Sequence, residues 1–361
     1  MSVILEAPIN ALSFGNVSYN MLRALYDNKQ EVDWFPLSGN HDFSVFDSIN
    51  PDFHKWLIDS ANKASLNINK NKKGFKIWHL NGSQSRIAPK QILYSFYELD
   101  EPTETEINLA KFQDKVYFSS SYAANMFKEK GVDADYLPLG FDKDFHKTNQ
   151  KYLDEDIIHF GLMGKFEKRK HTKKIIQLWL KLFGNNNKYQ LSVCCINPFY
   201  KPEEMKALLS DLLDGKRYTN LNMLPFLKKN SDVNHFLNAI DIDLTGLSGA
   251  EGWNLPAFNA TCLGKWSIVL NATAHKDWAD KDNCLLVEPN GKEEAYDGKF
   301  FVKGSPFNQG SIYTWDSDTV AQMMEQACLK KGQNNAAGES LKENFSYEKS
   351  VSLLNKGLES L

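Results

Sequence analysis

Two segments about eighty residues apart share one local pattern: an apolar run of strand length, a loop rich in charge or glycine, then an apolar helix. That pattern confines the chain to an open α/β sheet, where ligands sit beyond the carboxyl ends of the strands. In the first segment, residues 157–163 form the apolar run. Ile175, Ile176, Trp179, Leu180 and Phe183 then recur at helical spacing after Thr172. The loop between them, Gly-Lys-Phe-Glu-Lys-Arg-Lys at 164–170, carries Lys165, Lys168, Arg169 and Lys170. In the second, residues 241–245 alternate apolar and polar. A loop through Ser248 and Glu251 then leads to Pro256, an early helix position, with Leu255, Phe258 and Cys262 at helical spacing.

Each loop suits one half of an anionic, hydroxyl-rich ligand. Cations fixed at a strand-to-helix turn stabilise negative charge where it develops in a partly dry cleft, which is what a departing diphosphate requires. Free backbone N–H groups at a helix start donate to phosphate or hydroxyl oxygens. Either loop has a plainer explanation when taken alone. A solvated helix start carries lysines too, and a carboxylate such as Glu251 complements a helix dipole by roughly 0.3–1 kcal/mol.

The residues around both loops extend the pattern into a family resemblance. Ile240-Asp241, Ser248, the run Glu251-Gly252-Trp253-Asn254-Leu255-Pro256, Cys262-Leu263-Gly264 and Ile268-Val269 resemble the donor half of retaining glycosyltransferases of the GT-B type, family four (glycosyltransferase group 1). The 164–170 loop is similar to that family's Gly-Arg-Leu…Lys-Gly loop, with Lys165 at its arginine and Lys170 at its lysine. Upstream, Ser119-Ser120-Ser121, Phe127, Gly131 and Pro138-Leu139-Gly140-Phe141-Asp142 resemble the stretch that closes the family's first domain.

The resemblance implies an α/β fold of two Rossmann-like domains facing across a cleft. Residues 1–150 form the acceptor side and 151–330 the nucleotide-sugar side; 331–361 form a connection and a helix that crosses back. It also implies a hexosyl- or pentosyltransferase that uses no metal and no permanently bound cofactor. Its donor is a nucleotide-sugar, with UDP expected first and GDP or ADP as alternatives. Lys165, Lys170 and Glu251 are the implied catalytic residues, the lysines holding the diphosphate and Glu251 the sugar hydroxyls. Gly164, Arg169, Gly252, Trp253, Asn254, Leu255 and Asn259 complete the donor side.

Four positions depart from the family pattern. Asn259 replaces a glutamate that grips the nucleotide ribose, so an uncharged amide faces the diol. Lys165 lacks the bidentate fork of arginine, and His171 and Asn254 stand where the family has glycine. These departures keep a second possibility open, a nucleotide-sugar-binding protein or sugar-nucleotide isomerase without transfer activity.

The N-terminal half supplies the facing side. Residues 3–7 read as a strand, 11–16 as a loop, and Val17, Met21, Leu22 and Leu25 as a helix. Gly15 permits either a close approach of the backbone to a ligand or a simple turn. In the resembled enzymes this loop faces the donor phosphates, which brings in Gly15 and Asn16. Residues 76–80 read as another strand, with His79 and Asn81 at its end as acceptor-side candidates. Glu98 follows an aromatic strand, where the family often has a glutamate.

The formal net charge is −3, but residues 60–97 contain no acid and seven cations: Lys63, Lys70, Lys72, Lys73, Lys76, Arg86 and Lys90. A solvated loop explains such a run. A polyanionic acceptor explains it as well, and bacteriophage members of this fold glycosylate hydroxymethylated pyrimidines in DNA. The acceptor therefore stands between a cell-surface or lipid-linked glycan and modified DNA. The five cysteines are odd in number and lack metal-ligand spacing, no apolar run spans a bilayer, and no secretory signal opens the chain. Cytoplasmic residence follows as the expectation, in the host cytoplasm for a phage protein. At the C-terminus, residues 330–339 read as an exposed connection and 347–361 as a final helix. Oligomeric state is left open.

Overall fold

The computed structural model describes residues 2–37, 41–66, 68–69 and 71–361. Twelve strands form two six-stranded parallel sheets. The first contains β1 (Ser2–Ala7), β2 (Glu31–Pro36), β3 (Lys73–Ile77), β4 (Gln91–Ser95), β5 (Lys115–Phe118) and β6 (Ala134–Tyr136), in the order β2-β1-β3-β4-β5-β6. The second contains β7 (Ile158–Met163), β8 (Tyr189–Cys194), β9 (Leu221–Met223), β10 (Ile242–Asp243), β11 (Trp266–Leu270) and β12 (Leu285–Val287), in the order β12-β11-β10-β7-β8-β9. Both sheets are doubly wound, and each reverses direction once, between β1 and β3 and between β7 and β10. Such reversals open a crevice at the carboxyl ends of the strands.

The central strands are nearly continuous apolar runs because helices cover both faces of each sheet. Helix Thr172–Phe183 buries Ile175, Ile176, Trp179 and Phe183 against Phe160 and Leu191 of the second sheet. The final helix, Tyr347–Ser360, crosses back to the first lobe. There Tyr347, Val351, Leu354 and Leu358 join the same core as Leu22 and Leu25 of helix Ser13–Asp27. Gly140 accommodates its start, since a side chain there would meet the Tyr347 nitrogen at 2.3 Å. Trp253 and Phe258 of the second lobe reach that core as well.

An antiparallel hairpin, β13 (Gly291–Glu294) and β14 (Ser311–Thr314), leaves the second lobe and grips the first. The Asp100 carboxylate accepts from Ser311 N at 2.6 Å and pairs with Lys292 at 2.7 Å, while Glu106 accepts from Asn308 N at 2.8 Å. Sequence periodicity carries no sign of this strap.

Several expected elements shift. The strand expected at 76–80 runs instead over Lys73–Ile77, where β1 and β4 offer partners on both sides. The strand expected at 241–245 shrinks to Ile242–Asp243. The Asp243 carboxylate accepts from Thr245 N and Oγ1, at 3.1 and 2.6 Å, and turns the chain into a 3₁₀ turn at Thr245–Leu247. Residues 13–16, expected in a loop, begin helix Ser13–Asp27. The connection expected at 330–339 is partly ordered: buried Asn335 caps helix Ala336–Asn344 through Gly338 N and donates to the Lys265 and Asn283 carbonyls.

The basic segment is extensively ion-paired. Four carboxylates from outside it fold back onto its cations. Lys72 meets Asp33 at 2.6 Å, Lys90 meets Asp114 at 3.0 Å, Arg86 also meets Asp114, and Lys63 meets Glu31. Lys76 is buried, pairs with Glu6 at 3.2 Å and donates to the Ser85 carbonyl. Lys73 donates to the Leu358 carbonyl near the end of the final helix, where cations complement the dipole. Lys70 lies outside the described residues. All five cysteines are free, with Cys194 and Cys195 both buried. No helix among the described residues is long and apolar enough to cross a membrane.

Candidate functional site

The two switch points face one another across a cavity of about 360 Å³ between the sheets. Thirteen of the fifteen residues singled out from the sequence line it: Lys165, Lys170, Glu251, Asn16, Gly164, Arg169, Gly252, Trp253, Asn254, Leu255, Asn259, His79 and Glu98. The other two do not. Gly15 lies in the first turn of its helix, where a Cβ would meet Asn10 atoms at 2.3–2.5 Å. Its close approach is to the chain itself. Asn81 is exposed, beyond the end of β3.

β7 ends at the cavity, and Gly164 follows with φ +145°, so that the loop turns across the sheet edge. Arg169 then enters the interior. Its Nη1 donates to the Ala250 carbonyl at 2.6 Å and to Glu251 at 3.0 Å, and its Nη2 donates to Glu167 at 3.1 Å. Lys170 makes a second ion pair with Glu251. Burial by itself would raise the Glu251 carboxyl, but Lys170 and Arg169 outweigh it and hold the group well below the usual carboxylate range. Glu251 is thus a fixed anion. Arg169, committed to two carboxylates and a carbonyl, positions it. Lys165 has more freedom: it is about a third exposed, lies 4.7 Å from the Phe199 ring and 3.9 Å from Glu167, and burial lowers its pKa.

The second loop is pinned on three sides. Ser119 Oγ donates to the Gly252 carbonyl at 2.6 Å, Glu251 N donates to Thr273 Oγ1 at 3.1 Å, and Trp278 Nε1 donates to the Trp253 carbonyl at 3.1 Å. Ser121 N reaches Asp277 at 2.8 Å. The serine run matched in the sequence therefore ties the first lobe to Gly252 and Asp277 of the second.

Asn254 caps helix Leu255–Cys262 with φ +72°, and His171 precedes helix Thr172–Phe183 with φ +52°. Both positions depart from glycine in the resembled pattern, and both are left-handed, the conformation that glycine meets without cost. Side-chain bonds hold them. Asn254 Nδ2 donates to the Thr245 carbonyl at 2.9 Å and to His275 Nε2 at 3.0 Å, while His171 Nε2 donates to the Tyr313 carbonyl at 2.8 Å. His275 Nδ1–H donates to the Leu270 carbonyl at 2.9 Å, which leaves Nε2 as the acceptor; burial lowers its pKa. Nothing in the sequence singles out His275 or Glu167, since each acts only through a partner far along the chain.

Within the cavity wall, the Oδ1 atoms of Asn254 and Asn259 and Nε1 of Trp253 are buried without a hydrogen-bond partner. Buried polar atoms are ordinarily paired, so these three stand out in the wall. Across the cleft, Phe14 stacks on Phe96 with centroids 4.2 Å apart and meets His79 at 4.3 Å. Burial, with Lys165 nearby, lowers the His79 pKa to about 4. Burial raises the Glu98 carboxyl, which Arg169 opposes and Glu251 and Glu167 reinforce.

Two doubly wound sheets with a shared cleft and a returning C-terminal helix define the GT-B architecture, and the chain has it. Solved structures agree over almost the whole length. Sucrose-phosphate synthase from Thermosynechococcus elongatus superposes with a TM-score of 0.71 at 12% identity, covering 100% of this chain and 98% of that one. HepE from Anabaena in complex with UDP gives 0.66 at 13% identity, covering 100% of both chains. The catalytic domain of starch synthase IV from Arabidopsis thaliana, bound to ADP and acarbose, gives 0.65 at 11% identity, covering 99% and 98%. The sequence matches no protein-family model and no curated protein.

Proposed function

We propose that the protein is a retaining glycosyltransferase that moves a sugar from a nucleotide-sugar to a hydroxyl acceptor. The observation that carries this reading is the convergence of Lys165, Lys170 and Glu251, from two separate strand-to-helix loops, on one interlobe cavity. Lys165 and Lys170 receive the diphosphate, aided by the amides of residues 252–255 at the start of helix Leu255–Cys262. Glu251, kept ionised by Arg169, accepts from hydroxyls of the donor sugar.

During transfer the acceptor oxygen bonds to the anomeric carbon as the carbon's bond to the terminal phosphate oxygen breaks. The electron pair leaves with the diphosphate, and the acceptor proton passes to a phosphate oxygen on the same face. No protein nucleophile and no metal is used. UDP is the nucleotide we propose first, because HepE is described with UDP and UDP-glucose. Asn259, which lines the cavity, takes the ribose side. A glycan-type acceptor is proposed over DNA, because the described cations of residues 60–97 are already engaged within the protein. We place the protein in the cytoplasm, the expected compartment for free cysteines.

Incubation with UDP-, GDP- and ADP-sugars, followed by nucleotide release and by NMR of the product anomer, tests the reading. Release with retained configuration supports it. An inverted product removes the proposed geometry of attack, and binding without release favours a sugar-nucleotide-binding protein.

A further inference from the structure

The two walls of the cavity differ in charge. Among the described residues, every lysine and arginine that lines it belongs to the second lobe: Lys165, Arg169, Lys170 and Lys228. Glu251 engages two of these, and Asp42 engages Lys228 at 2.9 Å. Only Lys165 is held loosely, and it faces the diphosphate in the proposed reaction. On the first-lobe wall the imidazole and carboxyl side chains are those of His79, Glu98 and Asp142. Asp142 is occupied by Asn20 at 2.9 Å and by Arg23 at 3.4 Å. The Glu98 carboxyl accepts no hydrogen bond from any described residue, and beside it lies the Phe14–Phe96 stack.

We infer that this wall seats the acceptor and that the acceptor is a neutral sugar ring, with its C–H face on the Phe14–Phe96 stack and its hydroxyls donating to Glu98. The inference rests on the glycosyl-transfer reading and narrows it to a substrate class. A pyranose presents an apolar face of C–H groups beside a rim of hydroxyls, which is the pairing this wall offers. A hydroxyl hydrogen-bonds to Glu98 in either protonation state and gains from its charge when the group is ionised. An anionic acceptor would bring charge against a wall with no cation among the described residues, after the diphosphate has consumed the positive charge opposite. Such unpaired like charges exclude wrong partners.

The test uses the full chain saturated with UDP. Methyl glucoside, galactoside and mannoside are titrated beside their 6-phosphates, with a duplex containing 5-hydroxymethylcytosine as a further ligand. At least one neutral hexoside is expected to bind about tenfold more tightly than its phosphate and than the duplex. Phe96→Leu and Glu98→Gln should each weaken it about fivefold while UDP affinity stays within about twofold. Two variants of different chemistry in the loop after β4 guard against failure of either one, and retained UDP affinity reports a folded donor site. Equal or tighter binding of the phosphates or the duplex overturns the inference. So does the absence of hexoside binding to the UDP-saturated chain, or unchanged affinity in both variants. Failure of UDP, GDP and ADP alike to bind is a distinct result, which removes the donor assignment and this inference with it.

Discussion

Removing the ammonium group of Lys170 separates electrostatic catalysis from charge that merely coats a loop. Lys170 is 14% exposed and lies at the cavity beside Glu251. A unit charge about 4 Å away at an effective dielectric of about 20 interacts by about 4 kcal/mol. Loss of one preorganised contact to a developing anion costs about 2.7–4 kcal/mol, or roughly 10² to 10³ in turnover. Lys170→Ala should therefore lower kcat by roughly 10² to 10³ and weaken donor binding by about tenfold or less, because the charge on the departing diphosphate grows only as the bond breaks. Glu251 keeps Arg169 at 3.0 Å, so the carboxylate is not stranded. Lys168 provides the control. It belongs to the same loop, but its ammonium donates to the Glu294 carbonyl on the hairpin and does not line the cavity. Lys168→Ala should leave kcat within about twofold. Steady-state nucleotide release over a range of donor concentrations, with melting temperatures to verify folding, measures both. Near-normal turnover in Lys170→Ala, or equal losses in the two variants, would refute the reasoning.

Three further outcomes follow from particular contacts. Burial raises the Asp243 pKa to about 6 from 3.8, so the folded chain binds more protons than the unfolded chain between these values. Its contribution to stability therefore declines as pH rises through that window and stays flat above it, amounting to about 2–3 kcal/mol. Asp243→Asn should lack this component, and denaturant titrations at pH 4, 5, 6 and 7 that run parallel for both proteins would exclude it. Gly310 has φ +121°, and a Cβ there would lie 2.3 Å from Asp100 Oδ1. Gly310→Ala should cost about 1–3 kcal/mol and speed hydrogen exchange over residues 291–314; unchanged exchange would show that the hairpin is not held by Asp100. Glu251→Gln should change which donor sugar is accepted and also lower stability by about 3 kcal/mol or more, since two buried cations lose their shared anion. A melting temperature equal to that of the parent protein would contradict this pairing.

What the sequence discloses and what it hides divide along a physical line. The runs at 157–163 and 175–183 are legible because a buried parallel strand and an amphipathic helix each impose a periodicity on neighbouring residues. The loops between them stand out because cations and free amides at one turn match what the proposed diphosphate would need. The errors arise where a residue answers to a partner distant in sequence. The lysines of residues 60–97 read equally as a solvated run or a polyanion site, and only the fold shows Glu6, Glu31, Asp33 and Asp114 paired with them. Gly15 is required by the Asn10 backbone, and β3 begins earlier than its apolar run because β1 and β4 extend the ladder on both sides. The same line explains Asn254 and His171, which look like losses from a glycine pattern. Their positive φ angles keep the geometry that glycine would supply, and the added side chains brace it through Thr245, His275 and Tyr313. Both loops thus keep their shape while exchanging backbone freedom for fixed contacts. A cavity whose anion is already clamped by Arg169 and Lys170 is the kind of preorganised environment that the proposed transfer would use.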